Sequence, residues 1–167
     1  MIFTILTVIS YISTVIVIIS VFIIITLWTK GVLPVLLRLG YGLAKRKIAI
    51  FAKGDNISSI KSLLVDSKLF NQDNIFEITN SGDIGKAEEA SVYLVYWPDW
   101  ADDIDEILDI KPDKCAMVVY APNDKEKISD KQIKDLDEKR HTTVTNLRGR
   151  LLNDLVSFMM STSYEEK

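Results

Sequence analysis

One cysteine (Cys115) and one histidine (His141) among 167 residues exclude a disulfide framework and a His/Cys zinc cluster. Such scarcity suits a reducing compartment, the cytosol. Acidic residues are missing from positions 1–47, which hold five basic ones: Lys30, Arg38, Lys45, Arg46 and Lys47. Charge of either sign is missing from Ile2 to Leu27. The glycine signatures of nucleotide folds are missing too. Without GxGxxG or GxxxxGK(S/T) there is no dinucleotide fingerprint and no P-loop. No GxxxG motif, internal repeat or low-complexity tract occurs, and neither a metal nor a cofactor is expected.

What the chain has instead is a 28-residue apolar run, Met1 to Trp28. A helix of that length reaches ~40 Å, more than the ~30 Å hydrocarbon core of a bilayer. Only a helix satisfies all the backbone hydrogen bonds of a single segment in lipid. A cleaved signal peptide would need a basic start and a small-residue cleavage site, whereas this run opens Met-Ile-Phe-Thr and closes on Leu27-Trp28-Thr29-Lys30. The expectation is a retained single-pass anchor over 1–28. Thr4, Thr7, Tyr11 and Thr14, with Ser10 beside them, recur at helical spacing. They suit either harmless back-bonding to the helix or a helix-packing or pore-lining face in a homo-oligomer.

Basic residues gathered at one end of the anchor predict the N-terminus outside and the remainder in the cytoplasm. Of 20 basic residues, five precede residue 48; the other 15 face all 23 acidic ones, a net of −8. That balance argues against general nucleic-acid binding. Residues 29–47 carry an apolar stripe (Leu33, Leu36, Leu37, Tyr41, Ala44) and read as an amphipathic connector on the inner leaflet, weakened by Pro34, Gly40 and Gly42.

Residues 48–167 alternate short apolar runs with amphipathic stretches. Strands are predicted at 47–52, 74–79, 91–97, 115–120 and 142–145. Helices are predicted at 57–70, 83–90, 101–110, 129–140 and 151–164. The alternation implies an α/β fold: a five-stranded parallel, Rossmann-like (flavodoxin/TIR-like) sheet in the order 2-1-3-4-5, with helices on both faces. In such sheets ligands bind beyond the carboxyl ends of the strands.

Four loops reach that edge. Gly54-Asp55-Asn56-Ile57-Ser58-Ser59 opens a helix and offers backbone donors to an anion, or is an ordinary turn capped by Asn56 or Ser58. Tyr96-Trp97-Pro98-Asp99-Trp100 presents two indoles that either stack on a base or pack into the protein. Tyr120 to Asp124 reads as a proline turn. Asn146-Leu147-Arg148-Gly149-Arg150 puts two arginines at a helix start, a good arrangement for phosphate unless they pair with Asp154 or other acids. The candidate ligand set is therefore Gly54, Asp55, Asn56, Ser58, Ser59, Trp97, Trp100, Asn146, Arg148 and Arg150. Among catalytic candidates only Glu106 stands out.

Two resemblances bear on these residues. Ser91–Leu108, with its strand, aromatic loop and Glu106-Ile-Leu, resembles the part of a TIR domain that carries a catalytic glutamate, although Trp100, Asp102 and Asp103 fill the positions where that family has Ser and Trp-Cys. The whole layout is similar to small bacterial anti-phage effectors that join membrane helices to a CARF-like or TIR-like nucleotide sensor. The resemblance implies a cyclic or linear oligonucleotide second messenger as ligand, and a membrane part that oligomerises or opens on binding. A tethered NAD-cleaving enzyme using Glu106 is the alternative, and a non-catalytic scaffold or partner subunit the third possibility.

Overall fold

The computed structural model describes residues 2–123, 125 and 127–162. The expected ends of one loop at Asp124 and of the last helix at Tyr164 lie outside them. Two compact units are present, Met1–Arg38 and Leu39–Lys167.

In the first unit, α1 (Ile2–Thr29) is one continuous helix, long and apolar enough to cross a membrane. Its β-branched residues would favour strands in water, but 28 residues without an intervening polar turn leave the helix as the form that bonds all of its own backbone. Gly31, at φ +72°, breaks it, and α2 (Val32–Lys45) begins at once. Pro34 is accommodated in the first turn of α2, where its missing N–H costs nothing. Gly40 and Gly42 do not interrupt it.

The second unit holds five parallel strands: β1 (Ile48–Phe51), β2 (Ile75–Ile78), β3 (Val92–Tyr96), β4 (Ala116–Tyr120) and β5 (Thr142–Thr145). Their order is β2-β1-β3-β4-β5, the Rossmann-like arrangement with strand one inside the sheet. Every residue of β1 and β3 is buried, as unbroken apolar runs require when helices cover both faces. The edge strand β5, Thr-Thr-Val-Thr, is half exposed.

Alternate side chains feed two cores. Ile48, Ile50, Val92, Leu94, Ala116 and Val118 meet α3 (Asp55–Asp66) and α7 (Leu151–Thr162) on one face. Ala49, Phe51, Tyr93, Val95, Met117 and Val119 meet the other layer. That layer is a 3₁₀ segment (Ser81–Glu89), the single turn α4 (Trp97–Trp100), α5 (Ile104–Ile110) and Leu136 of α6 (Asp130–Glu138). The stretch expected as a helix at 83–90 is thus 3₁₀, and the one expected at 101–110 begins only at Ile104, after a bend at 101–103. Ser129 and Gln132 form a reciprocal capping box that starts α6.

Candidate functional site

At the switch point between β1 and β3 the chain fills its own crevice. Gly54 sits at φ +55°, ψ −133°, a conformation that only glycine adopts without strain, and caps α3 with no side-chain bond. The loop after β3 fixes the same segment instead. Pro98 at the start of α4 turns the chain so that Asp99 accepts the Lys53 backbone N–H at 2.7 Å and the Asn56 carboxamide at 3.0 and 3.1 Å. A fixed carboxylate therefore stands beside the start of α3, where its charge disfavours a ligand anion. Neither Asn56 nor Ser58 caps the helix from within; Ser58 donates instead to the Asp55 carbonyl at 2.9 Å.

The indoles beside it do not face a ligand. Trp97 is 1% and Trp100 0% exposed, and base stacking by either is ruled out in this conformation. Trp100 meets Phe51 edge-on at 5.5 Å, and the Lys53 ammonium covers its ring at 4.5 Å while lying 3.6 Å from Asp103. A four-residue helix started by a proline buries two large apolar side chains at once, and the hydrophobic gain of that burial outweighs any use in stacking. Their Nε1 atoms, with the Tyr93 hydroxyl, are buried without a hydrogen-bond partner among the described residues.

The other two loops do converge. Arg148 lies in a 3₁₀ turn (Arg148–Arg150) that runs directly into α7. Because α3 and α7 cover the same face of the sheet, its guanidinium reaches Ser59, donating to Oγ at 2.7 Å and to the backbone carbonyl at 2.9 Å. No acidic residue pairs with it among the described residues. Arg150 and Asp154 have no side-chain partner among the described residues, and Arg150 is exposed. Asn146 donates to Asn123 Oδ1 at 2.9 Å and so ties the β5 exit to the β4 exit. Tyr96 and Tyr120 pack at 5.7 Å at the ends of β3 and β4. The cluster at this edge is Ser59, Asn123, Asn146, Arg148 and Arg150, with the half-exposed Tyr120 as the nearby aromatic. Tyr120 and Asn123 were legible only as the end of a strand and a turn residue; their position at and just after the end of an apolar strand is the signal that marks them.

Glu106 stands exposed on the first turn of α5, near Asp102, Asp105 and Asp109 in the chain, and has no hydrogen-bond or ion-pair partner among the described residues. Among the described residues there is no cluster fit to hold a metal ion. In α1, Thr7 and Thr14 donate to the carbonyls of Phe3 and Ser10, both at 2.8 Å, whereas the hydroxyls of Thr4, Ser10 and Tyr11 make no hydrogen bond among the described residues.

At the opposite end of the sheet a cavity of about 130 Å³ is lined by Arg46, Glu88, Ser91, Lys114, Cys115 and Thr162. Arg46 donates to the buried Thr162 hydroxyl, linking the residue after α2 to the last turn of α7. Burial pushes the Cys115 thiol up to about 12.

Comparison with known protein families, curated proteins and solved structures finds no match to this chain. The functional reading rests on its own residues.

Proposed function

We propose that this chain is a membrane-anchored effector that responds to a phosphate-bearing nucleotide signal. The observation that carries this reading is the reach of Arg148 to Ser59, which holds the arginine turn against the first turns of α3 at the carboxyl edge of the sheet. A guanidinium has five N–H donors, and two bonds to Ser59 leave others for a phosphate, with Arg150 as a second cation close by in the chain. The ligand is a cyclic or linear oligonucleotide; Tyr120 takes over the aromatic role first expected of the tryptophans. Asp99 keeps the β1 loop closed to the same anion.

The output is a change in packing of α1 helices in a homo-oligomer, opening a path through a bacterial inner membrane as part of anti-phage defence, with the α/β unit on the cytoplasmic side. The apolar length of α1 and the basic cluster that follows it support this arrangement.

The test pairs two variants in detergent-solubilised full-length protein. Losing one charge-assisted phosphate contact, worth ~1.5–3 kcal/mol, weakens binding of a panel of cyclic and linear oligonucleotides by ~10- to 100-fold in Arg148→Ala, and signal-dependent toxicity disappears. Glu106→Ala leaves both unchanged. Loss of toxicity in Glu106→Ala together with NAD depletion by the wild type would replace this reading with a TIR-like enzyme. Mass measurement in mild detergent is expected to give a multiple of 18.9 kDa.

A further inference from the structure

The helix α2 has a chemistry of its own. Its 14 residues reach ~21 Å, too short for a ~30 Å hydrocarbon core, so it cannot be a second span. Val32, Val35, Leu36 and Leu37 are 41%, 42%, 54% and 48% exposed, an unpartnered apolar face within the chain. At 100° per residue Val32, Leu33, Val35, Leu36, Leu37 and Leu39 lie within an arc of about 200°, and Lys45 falls opposite its centre. Lys45 holds its ammonium 5.2 Å from the Tyr41 ring centre, and Tyr41 is itself exposed. No acidic residue occurs in positions 1–47, which hold Lys30, Arg38, Lys45, Arg46 and Lys47. Two of these are engaged by the α/β unit: Lys47 pairs with Glu89 at 2.6 Å and Arg46 bonds Thr162. The last turn of α2 is held by Asn74, which donates to the Ala44 carbonyl at 2.8 Å.

We infer that α2 is a lipid-recognition element in its own right, lying in the headgroup layer with its apolar arc among acyl chains and its basic residues toward anionic lipid phosphates. An apolar arc combined with cations and no anion fits a negatively charged leaflet and repels a basic partner. A Lys–Tyr pair is suited to the same layer, where one end of each side chain is apolar and the other wet. The assignment rests on α1 being embedded in the bilayer, since that holds α2 at the surface. It adds that the composition of the leaflet, and not only its presence, sets where the connector sits.

The test uses full-length protein in nanodiscs of phosphatidylcholine alone or mixed with phosphatidylglycerol. An environment-sensitive fluorophore is attached at Leu36→Cys or, as a depth control, at Ile16→Cys; Cys115 is 1% exposed and does not compete for the label. Spin-labelled lipid and aqueous iodide serve as quenchers. The label at position 16 is expected to be quenched by lipid in both membranes. At position 36 lipid quenching is expected only with phosphatidylglycerol, and to fade as salt shortens the Debye length from ~10 Å at 0.1 M to ~3 Å at 1 M. Lys45→Gln lowers the ratio of lipid to aqueous quenching at position 36 by about fivefold. A position-36 label shielded from both quenchers would overturn the inference in favour of a protein contact, such as a second copy of α2. Lipid quenching indifferent to phosphatidylglycerol and salt would overturn the anionic-lipid assignment. Iodide quenching at position 16 would refute the membrane anchor and the inference with it.

Discussion

Replacing Asp99 with alanine removes a carboxylate that holds the β1 and β3 loops together. Asp99 accepts one backbone and one carboxamide donor, at 2.7 Å and 3.0–3.1 Å, and it is half-buried. Hydrogen bonds to a charged acceptor contribute ~1.5–3 kcal/mol each, and partial exposure puts both near the low end. Water can also reach the Lys53 amide once the carboxylate is gone, which softens the loss. The expected destabilisation is about 2–3 kcal/mol. At ~3–5 °C per kcal/mol for a domain of this size, Tm falls by roughly 6–15 °C. The same change should open the start of α3 to anions, so inorganic phosphate or sulfate should raise the Tm of Asp99→Ala more than that of the wild type. Thermal unfolding in mild detergent, with and without phosphate, reads both effects. A loss under about 0.5 kcal/mol with no gain in anion response would refute the view that Asp99 keeps anions from the start of α3.

Three further outcomes follow from single residues. Gly54→Ala should cost about 1–3 kcal/mol by denaturant titration: a Cβ there meets nothing within 4 Å, so the cost comes entirely from φ +55°. Tyr93→Phe should stabilise by about 1 kcal/mol in the same titration, because the Tyr93 hydroxyl is buried and unbonded among the described residues. Cys115 should resist thiol reagents in the native state at neutral pH and react only as the domain opens. Its folded pKa of about 12 lies above its ordinary 9.0, so the folded state holds the proton more tightly. Its contribution to stability is complete below pH 9 and is lost as pH rises toward 12, and Cys115→Ala should flatten that alkaline decline.

The sheet was readable because β1, β3 and β4 are short runs of apolar residues that two covered faces demand, and their spacing leaves room for one crossover each. Even Thr142–Thr145 was recognisable, since β-branched residues between a charged helix and an arginine turn fit an edge strand. Element ends and helix types were harder. Gly85 weakens the 83–90 stretch as an α-helix, and the chain there is 3₁₀ with Ile84 and Ala87 packed into the core. The site divides in the same way. Arg148 and Ser59 carry chemistry that is visible in the chain, and the shared face of α3 and α7 explains why they meet. Trp97 and Trp100 were misleading because a tryptophan at a strand end is the same letter exposed or buried. The one-turn helix begun by Pro98 swings both inward and turns Asp99 toward α3, a choice made by tertiary contact with Phe51 and Asn56.

The last helix joins what the sheet keeps apart. It starts at the arginines on the carboxyl edge of the strands and ends at Thr162, where Arg46 grips it beside the opposite edge. Twelve helical residues make a strut ~18 Å long, pinned along its length by Leu151, Leu155 and Met159. A stiff strut seated in a close-packed groove has few ways to move other than as a whole. Arg148 on Ser59 and Arg46 on Thr162 are therefore separated by a single packed helix and no loop. The arginine corner and the root of the connector sit at the two ends of one strut.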